Sequence, residues 1–212
     1  MPKPFNGENR NALHIHLSMQ NKKKENVFYD KDEKYNLSKT ARHFIGGILK
    51  YARETSIIMA STFNSYKAYV IEKEAPIVLG WGLKNRSSMV RIPYYAGQDS
   101  MRIELRNPDP AGNVYLQLAA LIGMGLQGIK EKLDCGQPDI GSTYKRNNIK
   151  AYDKRYLPKT MFEALMEAEQ STFLKNILGH QLYRNFIALK IAEWEEHRTH
   201  VTQKEHKKYL SM

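Results

Sequence analysis

The sequence predicts an α+β fold, a sheet flanked by long helices, on two observations. Short runs that alternate apolar and polar residues recur over residues 1–110, and long stretches with helical periodicity fill residues 111–212. A chain with its strands first and most of its helices last is typical of the α+β class. We expect one domain over residues 1–212, strand-rich over 1–110 and helix-rich over 111–212.

The first half is expected to supply the sheet. Residues 12–19 (ALHIHLSM) alternate and predict a strand, and NVFY followed by DKDE predicts a short hairpin within residues 26–33. Ser38 is a good N-cap for a helix that runs to about residue 60, in which Gly46 and Gly47 allow close packing. A loop is expected over residues 62–76, and further strands over 77–82, 88–92 and 101–106.

The second half is expected to be helical. Asn107-Pro108-Asp109-Pro110 ends the last strand, because two prolines remove backbone donors and fix φ. A long apolar helix is expected over residues 112–133, whereas residues 134–157 are polar and have no clear periodicity. Three more helices are expected over residues 160–170, 172–178 and 181–208.

Two strand segments carry polar side chains within apolar runs. His14 and His16 stand two residues apart, and Arg102 and Arg106 belong to the run RIELR. Because alternate residues of a strand share a face, we expect the imidazoles on one face, the guanidiniums together, and Glu104 opposite them. Burial of such groups is costly unless a ligand, a metal ion or a counter-charge satisfies them. The pattern is typical of a site that binds anions and metal.

Composition restricts the class of protein. The net charge of +11 favours anionic partners, but the chain has no helix-turn-helix, zinc-finger or aromatic RNP pattern, which argues against nucleic acid. No apolar run approaches the roughly 18 residues of a membrane span, and MPKP lacks the apolar region of a secretory signal. Cys135 is the single cysteine, so an internal disulfide is excluded. These features predict a cytoplasmic protein without membrane contact.

Four motifs follow one another along the chain: KPFNGENRNALHIHLSM, FNSYKAYVIEKEAP, NRSSMVRIP and RIELRNPDP, the last followed by a long helix. In this order they resemble the carboxy-terminal part of glutamine synthetase. EALMEAE and AEWEEHRTHVT extend the resemblance over essentially all 212 residues. It implies a glutamine synthetase/guanido kinase-like catalytic domain that lacks its amino-terminal part.

The resemblance implies an ATP-dependent ligase. Such an enzyme forms glutamine, or a γ-glutamylamide, from glutamate and ammonia or an amine through a γ-glutamyl phosphate. The chemistry needs Mg²⁺ or Mn²⁺ and arginines around the phosphates of ATP, because charge on the transferred phosphoryl group must be neutralised. The implied partners are therefore small molecules.

Several residues match nucleotide and metal positions of that family. His14 matches a metal-binding histidine, and Glu104 matches a carboxylate ligand of the same ion. Oxygen with one imidazole suits Mg²⁺ or Mn²⁺ better than zinc. His16 and Ser18 match a stretch that contacts the nucleotide, and Arg102 is similar to a nucleotide contact. Outside this motif context, His14 would be interpreted as an ordinary strand histidine.

Other residues match substrate and catalytic positions. Arg86 and Arg91 match arginines that hold the ATP phosphates and the reacting centre, and Arg106 matches one that binds the substrate's carboxylate. Glu74 matches the mobile flap glutamate that closes the site and helps to deprotonate ammonium. Asn9 matches the asparagine that holds the α-carbon end of glutamate. The resemblance thus implies that Glu74 and Arg86 are catalytic.

The chain departs from the family at three places. The glycine-rich turn Asn-Gly-Ser-Gly is here Asn9-Arg10-Asn11-Ala12, so a bulky side chain crowds the place of the amino acid's head group. Ala68 stands where the family has an arginine for the substrate carboxylate, and Asp99 stands about where a nucleotide-site lysine occurs. These changes predict an altered substrate or weaker glutamate binding.

Met1 aligns with an internal methionine of the family, so the resemblance places the β-grasp domain and the first catalytic strands outside this chain. Those strands carry most of the family's metal ligands, and neighbouring subunits of a ring complete each site. We therefore expect a homo-oligomer in the full-length protein and an inactive isolated chain. Two other hypotheses are a non-catalytic glutamine synthetase-like structural or binding module and a nucleic-acid binder that rests on charge alone.

Overall fold

A four-stranded sheet organises the first half of the chain. The computed structural model describes residues 1–70, 75–143 and 153–210. The strands lie in the order β1-β4-β3-β2, where β4 is antiparallel to both β1 and β3, and β2 is parallel to β3. Their bounds are β1 Ile15–Leu17, β2 Trp81–Leu83, β3 Val90–Ile92 and β4 Ile103–Leu105.

The register of β4 places three polar residues in one row. Glu104 lies opposite His16 of β1 on one side and opposite Arg91 of β3 on the other. Residues that are directly opposite in neighbouring strands point to the same face of the sheet. The register therefore brings polar side chains from three strands together.

Eight helices flank the sheet in the part of the chain that the structure describes. Three of them precede residue 110 and five follow it, in agreement with the predicted order. Their bounds are α1 Lys39–Tyr51, α2 Ser56–Met59, α3 Phe63–Tyr66, α4 Val114–Glu131, α5 Met161–Glu169, α6 Thr172–Leu178, α7 His180–Thr199 and α8 Gln203–Tyr209. No helix among the described residues has the length and apolar character that crossing a bilayer requires.

Glycines allow α1 and α4 to approach closely, as predicted for Gly46 and Gly47. A Cβ atom at Gly47 would lie 2.7 Å from the Cα of Gly128 on α4. One at Gly46 would lie 2.8 Å from the carbonyl carbon of Leu133. Contacts this short leave no room for a side chain, so the two backbones pack directly on each other.

Two predicted helices are each divided in the structure. The first, expected to reach residue 60, ends at Tyr51, and the chain turns before α2. In this turn the side chain of Arg53 makes ion pairs of 2.6 Å with Glu163 and Glu167 of α5. The last helix divides near residue 200 because Thr202 starts a new one, its hydroxyl accepting a hydrogen bond from the Glu205 amide.

The hairpin expected over residues 26–33 is wrong. Only isolated bridges form there, between Gln20 and Asn26 and between Tyr29 and Leu37, and Lys34–Asn36 is a 3-10 turn. The expected loop over residues 62–76 includes α3, which Thr62 caps. Within the polar stretch 134–157, residues 144–152 lie outside the described residues.

Candidate functional site

Glu104 is the centre of a charged cluster on the sheet. Its side chain is 2% exposed. Its Oε1 atom accepts a hydrogen bond of 2.8 Å from Arg106 Nη1 and lies 3.2 Å from His14 Nδ1. Its Oε2 atom forms an ion pair of 2.6 Å with Arg91 Nε. The structure therefore brings one carboxylate, two guanidiniums and one imidazole into direct contact.

The expectation that Glu104 lies opposite the arginines is wrong. Positions 102, 104 and 106 are separated by two residues each, so a regular strand points all three side chains to one face. The contact between Arg106 and Glu104 at 2.8 Å shows this arrangement directly. The two histidines and the arginines therefore belong to one site on one face.

Positive charge dominates the electrostatics of the cluster. Burial acts to raise the pKa of Glu104, but the hydrogen bond with His14 and the charges of Arg106 and Arg91 outweigh it and lower the pKa from 4.5 to about 2. Burial lowers the pKa of Arg91, and the neighbouring charges of Arg106 and Arg86 add to this effect. Glu104 therefore stays ionised at neutral pH, and an additional anion would relieve the repulsion among the arginines.

His16 and Arg102 form a pair beside the cluster. The Arg102 Nε atom donates to His16 Nδ1 at 3.3 Å, and Arg102 Nη1 donates to the Ser100 carbonyl at 3.0 Å. Partial desolvation of the ring lowers the pKa of His16; the charge of Glu104 acts to raise it, but the charges of Arg102 and Arg91 lower it further. The imidazole is therefore neutral at pH 7, as a hydrogen-bond acceptor must be.

The remaining predicted residues lie around the cluster or outside the described chain. Arg86 is exposed in the connection between β2 and β3, close enough to lower the pKa of Arg91. Ser18 is exposed directly after β1, and Asn9 is exposed in the segment before it. Glu74 lies outside the described residues, so its predicted place over the site stays a prediction.

Sequence reasoning missed how Arg10 is held. Its Nη2 atom donates to the Arg106 carbonyl at 2.7 Å and its Nη1 atom to the Asn107 carbonyl at 3.2 Å. Its guanidinium also lies 5.8 Å from the centre of the Tyr69 ring. The sequence signal was a bulky cation at a glycine position, and nothing local in the sequence shows a contact with residues almost one hundred positions away.

Three buried atoms of the cluster have no hydrogen-bond partner among the described residues. Arg106 Nε is one of them. The other two are Glu104 Oε2 and Arg91 Nε, which form an ion pair of 2.6 Å with each other that is not aligned as a hydrogen bond. Buried polar atoms are rarely left unpaired in proteins, so Arg106 Nε shows that the described residues do not fully satisfy this cluster.

The donor set limits what the cluster can hold. No group of three or more His, Cys, Asp or Glu side chains within the described ranges could bind a metal ion. His14 and Glu104 offer one nitrogen and one carboxylate, a pair that can bind a cation only if other groups complete the coordination. The arrangement is therefore suited to a phosphate-bearing anion together with a divalent cation.

Comparison with known proteins gives concordant matches. Residues 1–209 match the family model described as "Glutamine synthetase, catalytic domain". Curated relatives named "Glutamine synthetase" include one from Methanosarcina mazei, 40% identical over 214 residues that cover 100% of this chain and 47% of the relative. Another, from Thermotoga maritima, is 37% identical over 212 residues, which cover 99% of this chain and 48% of the relative. The chain thus spans about half the length of the curated relatives it matches.

Solved structures match over the whole chain. "Apo GmaS without ligand" has a TM-score of 0.87 and 34% identity, covering 100% of this chain and 48% of that one. "GmaS/ADP complex-Conformation 1" has a TM-score of 0.86 and 33% identity, covering 100% of this chain and 49% of that one.

Proposed function

The chain belongs to the glutamine synthetase family, and on that premise we propose that it contributes the arginine-rich part of an ATP-dependent ligase site. In the proposed reaction a carboxylate oxygen of glutamate attacks the γ-phosphorus of ATP, and ADP leaves. Ammonia or an amine then attacks the acyl carbon of the γ-glutamyl phosphate, and inorganic phosphate leaves with the carboxylate oxygen. The product is glutamine or a γ-glutamylamide.

The observation that carries the proposal is the excess of positive charge around one buried carboxylate. Arg91 and Arg106 contact Glu104 directly, and Arg86 lies near them. A transferred phosphoryl group spreads negative charge over its oxygens, and cations already in position stabilise that charge without reorganising. Arg86 and Arg91 are proposed to neutralise the phosphates, and Arg106 to bind the substrate's carboxylate.

The carboxylate and the imidazole of the cluster are types of ligand that a divalent cation accepts. Mg²⁺ in phosphate-transfer sites is held by one or two side chains and by phosphate and water oxygens. The Glu104 carboxylate and the His14 imidazole, 3.2 Å apart, are the residues that would hold it. When bound, Mg²⁺ or Mn²⁺ supplies charge neutralisation at the phosphates.

His16, Ser18 and Arg102 are proposed to contact the nucleotide. The contact of 3.3 Å between Arg102 and His16 places the two side chains next to each other at the edge of the cluster. One similar solved structure is described as a GmaS complex with ADP, which supports a nucleotide at this fold.

Asn9 and Glu74 are assigned by the resemblance alone. Asn9 is proposed to hold the α-carbon end of glutamate. Glu74 is proposed to take the proton of ammonium, so that the neutral nitrogen can attack. With these two roles, the steps of substrate binding, phosphorylation and amide formation each have a proposed residue.

The activity of the whole protein is proposed to need more than this chain. The chain corresponds to 47% of the Methanosarcina mazei relative and 48% of the Thermotoga maritima relative. Two metal-binding side chains in contact cannot alone complete the coordination of an ion. We therefore expect ligand binding by this chain and turnover only together with complementary chain in an oligomer.

One observation favours a second candidate, a non-catalytic binding module of the same fold. Among the residues that the structure describes, no group of three metal-binding side chains occurs. A module of this kind would bind a nucleotide without transferring its phosphate.

Calorimetric titration of the chain with ATP, with MgCl₂ or with EDTA, tests the proposal. We expect ATP binding that weakens when magnesium is removed and about tenfold weaker binding in Arg86→Ala, equivalent to about 1.4 kcal/mol. Arg198→Ala is the matched control, because Arg198 is an exposed arginine that pairs with Glu195 on α7. ATP binding that depends on neither magnesium nor Arg86 would overturn the proposal.

Phosphate release separates the two candidates. The chain is mixed with the amino-terminal half of the Methanosarcina mazei relative and supplied with MgATP, glutamate and ammonia. Phosphate release that depends on glutamate supports the ligase. ATP binding without release under these conditions favours the binding module.

A further inference from the structure

A small cavity with mostly basic walls lies beside the end of β4. Its volume is about 170 Å³, well below the roughly 300–1,000 Å³ of pockets for drug-sized ligands. Its described walls carry three basic side chains, Lys3, Arg10 and Lys67, and one acidic side chain, Glu8. Size and charge together favour a small organic acid over a nucleotide.

Arg10 is the most firmly positioned of the three cations. Its two hydrogen bonds go to the carbonyl groups of Arg106 and Asn107, at 2.7 and 3.2 Å. Tyr69, over which the guanidinium lies, is itself fixed by a hydrogen bond of 2.9 Å to the Asn107 carbonyl. A guanidinium has five N–H groups, so these two bonds leave others for a ligand. A side chain held in this way loses little conformational entropy when it binds a carboxylate.

Arg106 is less accessible to a ligand in this cavity. Its guanidinium is bonded to Glu104 at 2.8 Å and its side chain is 9% exposed. Ala68, where the family resemblance predicts an arginine, lines the same cavity as Arg10. The chain therefore lacks a guanidinium at one wall of the cavity and has gained one at another.

We propose that Arg10 is the specificity-determining residue that binds the non-reacting carboxylate of the amino acid substrate, in place of an arginine at position 68. This assignment rests on the proposed function. Arg10 donates to the carbonyl of Arg106, so the cavity lies next to a residue whose side chain belongs to the arginine cluster. The planar fork of a guanidinium matches a carboxylate with two parallel hydrogen bonds.

Titration of the full chain with three probes tests which group Arg10 recognises. L-Glutamate carries both carboxylates, glutarate lacks the ammonium group, and 4-aminobutyrate lacks the α-carboxylate. We expect Arg10→Ala to weaken L-glutamate and glutarate binding at least about tenfold and to change 4-aminobutyrate binding by less than about twofold. A merely structural role for Arg10 would weaken all three alike.

Two further variants keep the test decisive, because Arg10→Ala also removes two hydrogen bonds to the backbone. Lys67 is exposed, and Lys67→Glu places a negative charge on the cavity wall without touching those bonds; we expect severalfold weaker L-glutamate binding. Ala68→Arg added to Arg10→Ala returns a guanidinium to the same cavity, and we expect it to restore L-glutamate binding. Arg42→Ala is the control, since Arg42 pairs with Asp134 at 3.0 Å.

The outcomes separate this assignment from the proposed function. Unchanged L-glutamate binding in Arg10→Ala overturns the assignment, as does a wild-type chain that binds neither dicarboxylate at tens of millimolar. Titration of the same proteins with MgATP tests the proposed function independently. ATP binding without Arg10-dependent carboxylate binding overturns only the role of Arg10, whereas a wild-type chain that binds no ATP overturns the proposed function.

Discussion

Two charged clusters in this chain are built in opposite ways. In the cluster on the sheet, the carboxylate of Glu104 is 2% exposed, whereas the guanidiniums of Arg106 and Arg91 are 9% and 20% exposed and the imidazole of His14 is 34% exposed. In the cluster between the α1–α2 turn and α5, the cation Arg53 is 8% exposed, and the carboxylates of Glu163 and Glu167 are 16% and 24% exposed. The first cluster therefore presents positive charge to solvent, and the second presents negative charge.

The two clusters also differ in how completely their guanidinium nitrogens are hydrogen-bonded. All three guanidinium nitrogens of Arg53 donate hydrogen bonds: Nε and Nη2 to carboxylates, and Nη1 to the Tyr156 carbonyl. In the sheet cluster Arg106 Nε has no hydrogen-bond partner among the described residues. A satisfied cluster joins elements of the fold, whereas an unsatisfied one with outward-facing cations is suited to an anion. Burial of an ion pair by itself does not distinguish the two.

The largest expected effect is that of removing the central carboxylate. Glu104→Gln leaves two guanidiniums without their shared counter-charge, and we expect the free energy of unfolding to fall by about 3–5 kcal/mol. Urea unfolding measures the change. Glu195→Gln, which removes an exposed partner of Arg198, is the control and is expected to leave the free energy of unfolding nearly unchanged. Equal stabilities of the two variants would contradict a central role of Glu104.

Acid should weaken the sheet cluster through the same carboxylate. Its pKa is about 2 in the fold against an ordinary value of 4.5, so the folded state binds its proton less readily than the unfolded chain. The resulting stability is fully present above about pH 4.5 and is lost as the pH falls toward about 2, and it amounts to roughly 3 kcal/mol. Unfolding free energies of wild type and Glu104→Gln should therefore converge between these pH values. Parallel curves for the two proteins would show that Glu104 does not carry this stability.

The smallest expected effect is that of the helix cluster, and it separates stability from binding. Arg53→Met leaves two carboxylates that still reach water, so we expect a loss of about 2–3 kcal/mol, less than for a fully buried pair. The affinity for MgATP should stay within about twofold of wild type, because the outward face of this cluster is negative. Arg155→Met, an exposed arginine paired with Asp153, is the control. Clearly weaker ATP binding in Arg53→Met alone would contradict the assignment of ligand binding to the sheet cluster and of stability to the helix cluster.

The sequence predicted much of the fold. The α+β class and the family are confirmed, three of the four strands lie within predicted segments and β2 overlaps its predicted segment, and α6 has the predicted bounds of residues 172 and 178. The end of the first helix was missed because Arg53 acts through contacts with α5 that local periodicity does not contain. The division near residue 200 was missed although Thr202 and Glu205 form a capping box that the local sequence contains. The hairpin over residues 26–33 was wrong because turn-forming composition was taken as strand pairing.

The order of motifs by itself determined the family, and the resemblance carried by those motifs named His14, Glu104 and the arginines as candidate site residues. Only the tertiary structure decided how they are arranged: the register of β4 between β1 and β3 makes Glu104 the buried centre, and the fold brings Arg10 to the Arg106 and Asn107 carbonyls. The physical reason is that spacing along a strand fixes only the face on which a side chain lies. Its partners, its burial and therefore its charge state depend on which distant strands pair with it.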